Sequence, residues 1–188
     1  MPFFRSKKKK SLKRLSMSTA RISKELPCLL GKLPSLTKLE LQGSESGLEK
    51  AVLSWVGNLK QLTALELVSY DFSESAPSWI GNLTNLKFLW IWDCNFSGSI
   101  IPYQIGNLAK LETLDFRGCE FFGQQIPPWI GNFTKLANLE MDSCGFSGSI
   151  PSTIGNLTQL GSLRITSNPQ LNGKSLYHGY FFLHTYAI

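Results

Sequence analysis

The stretch Gly131-Asn132-Phe133-Thr134-Lys135-Leu136-Ala137-Asn138-Leu139-Glu140-Met141-Asp142-Ser143-Cys144 decides how this chain folds, because it recurs. Counterpart glycines stand at Gly31, Gly57, Gly81, Gly106 and Gly155, so that the six follow one another at steps of 26, 24, 25, 25 and 24 residues. Aligning on them brings the apolar positions into register. Leu33, Leu36, Leu39 and Leu41 match Leu59, Leu62, Leu65 and Leu67, then Leu83, Leu86, Leu89 and Ile91, and so on to Leu157, Leu160, Leu163 and Ile165. A period of this length marks an array whose units cannot bury their apolar sides alone and stabilise one another through neighbour interfaces.

Within each unit the pair Leu-x-Leu reads as a short strand with its apolar residues inward and its neighbours facing solvent. Stacked copies then form a parallel sheet on one face. The other half of a unit, as in Ile150-Pro151-Ser152-Thr153-Ile154-Gly155-Asn156, reads as a short helical turn. Proline suits its first turn, and Gly-Asn is expected to supply left-handed residues at its end. Trp55, Trp79 and Trp129 fall in this half, where packing against the core is their expected role.

The pattern L-x-x-L-x-x-L-x-L-x-x-N/C, followed by G-x-I-P-x-x-I-G-N, resembles the plant-specific class of leucine-rich repeats from about Leu26 to Gly173. The resemblance implies an α/β fold: a right-handed leucine-rich-repeat solenoid with a parallel β-sheet on the concave face and short 3-10 or helical turns on the convex face. It predicts about six repeats of 24–26 residues over residues 26–175. Residues 1–25 are expected to be a basic tail, disordered or loosely helical, and residues 176–188 an aromatic C-terminal tail.

The net charge of +6 belongs to that first tail, since residues 1–24 hold nine of the nineteen Lys and Arg and no acid. The repeat body is mildly acidic, which argues against a nucleic-acid-binding face. No stretch approaches the roughly 18 consecutive apolar residues of a membrane span, and no apolar segment follows the N-terminal charges as in a secretory signal.

Cys94, Cys119 and Cys144 are spaced by the repeat itself. The family places Asn or Cys at this slot, bonded to the backbone of neighbouring coils, so buried free thiols are expected. Asn168 fills the slot in the last coil, Ser44 and Tyr70 in the first two, and Tyr70 is expected to open the ladder locally. His178 and His184 lie outside the repeats, so no Ser/His/Asp or Cys/His constellation forms, and kinase and phosphate-loop motifs are absent. These residues point to no enzyme, no metal and no cofactor.

A ligand would meet the residues between and beside the inward leucines. On the concave face these are Glu66, Phe88, Trp90, Trp92, Asp115, Arg117, Glu140 and Asp142, all expected to face solvent. Phe88, Trp90 and Trp92 form one aromatic cluster in an acidic stripe, and exposed aromatics on a rigid sheet are typical interface anchors, with the acids available to a basic partner. The flank near Asp93, Arg117 and Asp142 is an alternative. Sequons at Asn82, Asn95, Asn132 and Asn156 are glycosylation acceptors if the chain is secreted.

The repeat type is similar to that of plant receptor-like proteins and receptor-like kinases. That implies recognition of a protein or peptide ligand, a co-receptor as second partner, a role in signalling or defence, and the extracellular side of the plasma membrane. Any membrane attachment would come through other parts of a parent receptor, and no nucleic acid is expected. A soluble inhibitor resembling polygalacturonase-inhibiting proteins, an intracellular scaffold, and a truncated non-functional fragment are the other classes that fit.

Overall fold

The computed structural model describes residues 12–18, 30, 32–43, 53–74 and 76–172. Its strands are β1 Arg14–Ser18, β2 Lys38–Gln42, β3 Ala64–Val68, β4 Phe88–Trp92, β5 Thr113–Arg117, β6 Asn138–Asp142, β7 Ser147–Ser149, β8 Ser162–Arg164 and β9 Gln170–Asn172. Seven of them form one parallel sheet in the order β1-β2-β3-β4-β5-β6-β8. The register follows the repeat, with Leu15, Leu39, Leu65, Leu89, Leu114, Leu139 and Leu163 side by side. A second line of parallel pairing joins β7 to β9, and single bridges at Asp71, Asn95 and Glu120 continue it across earlier coils.

The opposite side is built from 3-10 turns at Leu53–Asn58, Ser78–Asn82, Tyr103–Asn107, Pro128–Asn132 and Ser152–Asn156. A proline precedes four of them, at Pro77, Pro102, Pro127 and Pro151. The Gly-Asn pairs have another purpose than the sequence suggests. Among the described residues the left-handed positions are Ser69, Asp93, Gly118 and Ser143, each directly after a concave strand, Ser167 three residues beyond β8, and Gly123, Gly145 and Gly148. Gly81 and Gly131 are instead sites of close approach: a Cβ there would lie 2.3 Å from the Gln104 carbonyl oxygen and 2.6 Å from that of Thr153. The glycine lets one coil seat on the next.

Between sheet and turns lies one continuous core of the repeat leucines. A column of rings runs through it, Phe72 to Phe96 at 5.1 Å, Phe96 to Phe121 at 4.6 Å and Phe121 to Phe146 at 5.0 Å. Such pairs contribute about 0.5–1.5 kcal/mol each beyond area burial. Tyr70 joins the column, stacked 5.8 Å from Phe72 and buried. It does not open the ladder toward the next coil, because its N–H donates to Cys94 Sγ at 3.4 Å. Trp55, Trp79 and Trp129 pack partly buried against the core from the convex side.

The ladder slot works as expected. Cys94, Cys119 and Cys144 are buried and free, and their thiols donate to Leu67, Ile91 and Phe116 carbonyls of the preceding coil. Asn168 does the same more fully: its Oδ1 accepts from the N–H groups of Cys144 and Phe146, and its Nδ2 donates to the Met141 and Thr166 carbonyls. The Cys144 thiol is held far above the ordinary thiol range, by its hydrogen bond with Cys119 first and burial second. At Cys119 the bond with Cys144 acts downward and is outweighed by the bond with Cys94 and by burial.

One part of the sequence reading is corrected. Arg14–Ser18 is not a disordered or helical tail but a strand paired along its length with β2. The physical reason is that Leu12-x-x-Leu15-x-Met17 repeats Leu36-x-x-Leu39-x-Leu41 of the next coil, and Leu15 and Met17 pack against the same core. Among the described residues the array therefore has seven concave strands rather than six. Residues 1–11 and 19–25, Cys28, Ser44 and the tail 176–188 lie outside the described residues.

Candidate functional site

The outward residues of the large sheet form three rows set by its register. The middle row runs Ser16, Glu40, Glu66, Trp90, Asp115, Glu140 and Arg164. Because strands stand about 4.8 Å apart, every side chain in a row reaches its neighbours. The sequence-predicted residues are all brought onto this one surface, but not all of them stay free.

On the first two strands, Glu40 is bound by Arg14 at 2.6 Å and Lys38 at 3.0 Å. Burial alone would raise its pKa; the hydrogen bond and charge of Lys38, the Ser16 hydrogen bond and Arg14 outweigh that and hold it below the usual value. Lys38 also places its ammonium 5.0 Å from the centre of the Trp90 ring, two strands away. The reach is possible because β3 presents only Ala64 at that row.

β4 raises the aromatic wall. Phe88 and Trp90 stack at 5.7 Å with planes 8° apart, and Arg117 lies over Trp92 at 5.4 Å. All three rings are half-buried, packed on one another and on cations rather than lying open.

Asp115 departs from the expectation that it faces solvent: the residue is only 3% exposed. Trp90 and Trp92 on β4 and Arg117 on its own strand crowd it, and Arg117 clamps it with Nε to Oδ1 at 3.0 Å and Nη2 to Oδ2 at 2.8 Å. Burial is the largest influence and raises its pKa, the Arg117 charge opposes it, Glu140 adds to it, and the balance lies at about 6. Trp92 also acts on this carboxylate in the lowering direction, while its Nε1 is buried and meets no acceptor at full hydrogen-bond geometry.

Arg117 continues to Glu140, which Arg164 approaches from the other side at 3.3 Å. Asp142 accepts from the Thr166 hydroxyl. The acidic stripe is thus largely neutralised within the protein, which corrects the picture of carboxylates held ready for a basic partner. Glu66 alone among these carboxylates has neither hydrogen bond nor ion pair among the described residues.

Arg14, Lys38 and Arg164 are members of this surface that sequence reasoning did not place among the ligand-binding residues. The signal for Arg14 was present in the Leu15-x-Met17 pair. Of the flank residues, Asp93 is exposed with φ 52°, and its Oδ1 would lie 2.3 Å from a Cβ at Gly118, so that glycine makes room for it. The sequon residues Asn82, Asn132 and Asn156 are exposed at the ends of 3-10 turns. Asn95 is half-buried, and its Oδ1 accepts the Ser97 N–H at 2.9 Å. On the convex side a cavity of about 480 Å³ lies between coils at Phe72, Pro77 and Trp79, and no charged residue lines it. Among the described residues no group of three potential metal ligands comes together, and no helix is long and apolar enough to cross a membrane.

Comparison with known proteins agrees with this architecture. The family model for a leucine-rich repeat region matches residues 78–176, whereas no curated protein sequence matches the chain. The receptor kinase HAESA of Arabidopsis, solved with the peptide hormone IDA and the co-receptor SERK1, is 25% identical with a TM-score of 0.60, over 93% of this chain and 30% of that one. The ectodomain of the receptor kinase GASSHO1/SCHENGEN3 from Arabidopsis thaliana, in complex with CASPARIAN STRIP INTEGRITY FACTOR 2, is also 25% identical, with a TM-score of 0.51 over 82% of this chain and 19% of that one. The Leptospira interrogans protein LIC12759 shares the fold at 21% identity and a TM-score of 0.61, over 93% of this chain and 50% of that one. The chain therefore spans a fifth to a half of these proteins. It belongs to the leucine-rich-repeat family, with coils of the kind that build the ectodomains of plant receptor kinases.

Proposed function

We propose that the chain is a protein- or peptide-recognition module of a plant leucine-rich-repeat receptor-like protein, acting in signalling or defence rather than in catalysis. The observation that carries this reading is the Phe88, Trp90 and Trp92 wall, three large aromatic side chains held outward on the middle strand of a rigid sheet. Aromatic anchors of this kind dominate the binding energy of interfaces, and those near the centre of a patch contribute most. The likeness to HAESA, whose structure holds a peptide hormone and a co-receptor, supports a peptide ligand and a co-receptor as the two partners. It likewise supports placement on the extracellular side of the plasma membrane, where exposed Asn82, Asn132 and Asn156 are the favoured glycosylation sites and the bonded Asn95 is not.

The test is selection of binders from a random linear dodecapeptide library on the immobilised protein, followed by affinity measurement with Trp90→Ala/Trp92→Ala. The reading expects the double variant to fold normally and to lose at least tenfold in affinity for the selected peptides. Retained affinity in the folded variant would move the binding site to the flank or the convex side.

A further inference from the structure

Within this concave face, and resting on the reading of it as the ligand surface, we propose that Glu66 and the Phe88–Trp90 stack form a seat for one cationic side chain, Lys or Arg, of a bound peptide. Three observations converge on it. The first is charge. Arg14 and Lys38 are committed to Glu40, Arg117 and Arg164 to Asp115 and Glu140, and Asp142 accepts from the Thr166 hydroxyl, which leaves Glu66, between these networks, as the concave-face carboxylate with neither ion pair nor hydrogen bond among the described residues. A carboxylate half-withdrawn from water and without a partner among the described residues is the natural complement of a ligand cation.

The second observation is shape. On β3 the residues flanking Glu66 on its own face are the small Ala64 and Val68, whereas β4 beside it carries Phe88, Trp90 and Trp92 in the same rows. The sheet therefore steps down at β3, with Glu66 in the floor and aromatic faces as one wall. The third is that the seat already attracts a cation. Lys38 leaves its own strand, crosses the β3 row and puts its ammonium 5.0 Å from the Trp90 ring centre while holding Glu40. A cation over an aromatic face gains on the order of 0.5–2 kcal/mol, more as water is excluded. Lys38 is the internal stand-in, and a ligand Arg or Lys that also pairs with Glu66 displaces it.

This arrangement makes two substitutions act in opposite directions. Peptides selected on the wild-type protein should be enriched in Arg or Lys at one position. Their affinity should fall about tenfold with the isosteric Glu66→Gln, and replacing that peptide cation by citrulline or norleucine should cost at least as much in wild type but distinctly less in Glu66→Gln, where only the contact with the Trp90 ring is left to lose. Lys38→Met, which removes the internal rival and keeps its apolar stem, should raise affinity several-fold. Selected peptides that depend on Trp90 but carry no shared cation, or that ignore Glu66→Gln, overturn the cation seat and leave the concave-face reading standing. Peptides indifferent to both Trp90→Ala and Glu66→Gln, or failure to recover any binder, count against both.

Discussion

Arg117 holds both oxygens of Asp115, two residues earlier on the same strand, with its Nε and Nη2 at 3.0 and 2.8 Å. The pair is covered by Trp92, so this carboxylate is stabilised by one bidentate contact and destabilised by burial and by Glu140. Its pKa of about 6, against an ordinary 3.8, says that burial wins.

The consequence for stability has a definite sign. A carboxyl whose folded pKa is raised favours the fold when protonated, so its contribution is complete below about pH 4 and is lost as pH rises through about 6. Thermal melts should therefore show the protein losing stability between about pH 4 and 6, by an amount on the order of 3 kcal/mol at most. Asp115→Asn should flatten that slope and raise the melting temperature at pH 7.5. A lower melting temperature for Asp115→Asn at pH 7.5 would mean that the Arg117 clamp outweighs burial.

The glycines at the coil junctions give a second expectation. Gly81→Ala and Gly131→Ala place a Cβ within 2.3 and 2.6 Å of a carbonyl oxygen of the following coil, a clash that must spread the solenoid. Urea denaturation should show each losing about 1–3 kcal/mol, the usual cost of overpacking. Gly155→Ala, whose Cβ would meet nothing within 4 Å, should be close to neutral.

Asn168 carries more of the ladder than any cysteine. Asn168→Ala leaves two buried N–H groups and a buried carbonyl without partners, each worth about 1–3 kcal/mol. Asn168→Cys should be distinctly milder, because a thiol at this slot donates to the preceding coil as Cys94, Cys119 and Cys144 do. Equal destabilisation of the two variants in chemical denaturation would contradict this account of the slot.

The same burial predicts the thiol chemistry. In a Cys28→Ser variant the three ladder cysteines should resist an aromatic disulfide reagent in the native state and react fully in denaturant, because thiolate formation is opposed at Cys119 and Cys144. Rapid native reaction would place these side chains at the surface.

The strands, the inward leucines, the thiol ladder and the aromatic wall were legible in the sequence because each is tied to one repeat position, and a periodic pattern converts directly into register. What escaped was of two kinds. The strand Arg14–Ser18 was hidden because the lysines and arginines around it dominate composition, while only Leu12, Leu15 and Met17 carry the repeat. The pairing on the concave face was hidden because position shows which residues share a surface but not which bind one another. Asp115 and Glu66 occupy the same repeat position, yet one is clamped and buried and the other unpaired, a difference decided by Trp92 and Arg117 beside the first and by Ala64 and Val68 beside the second.

The chain carries five tryptophans divided between its two sides, Trp90 and Trp92 on the concave sheet and Trp55, Trp79 and Trp129 on the convex turns. The most direct measurement is an indole N–H NMR titration of the 15N-labelled protein with a peptide selected on it. The account predicts that the Trp90 and Trp92 signals shift or broaden as peptide is added, while those of Trp55, Trp79 and Trp129 stay in place. Shifts confined to Trp55, Trp79 and Trp129 would put the ligand on the convex side and contradict it.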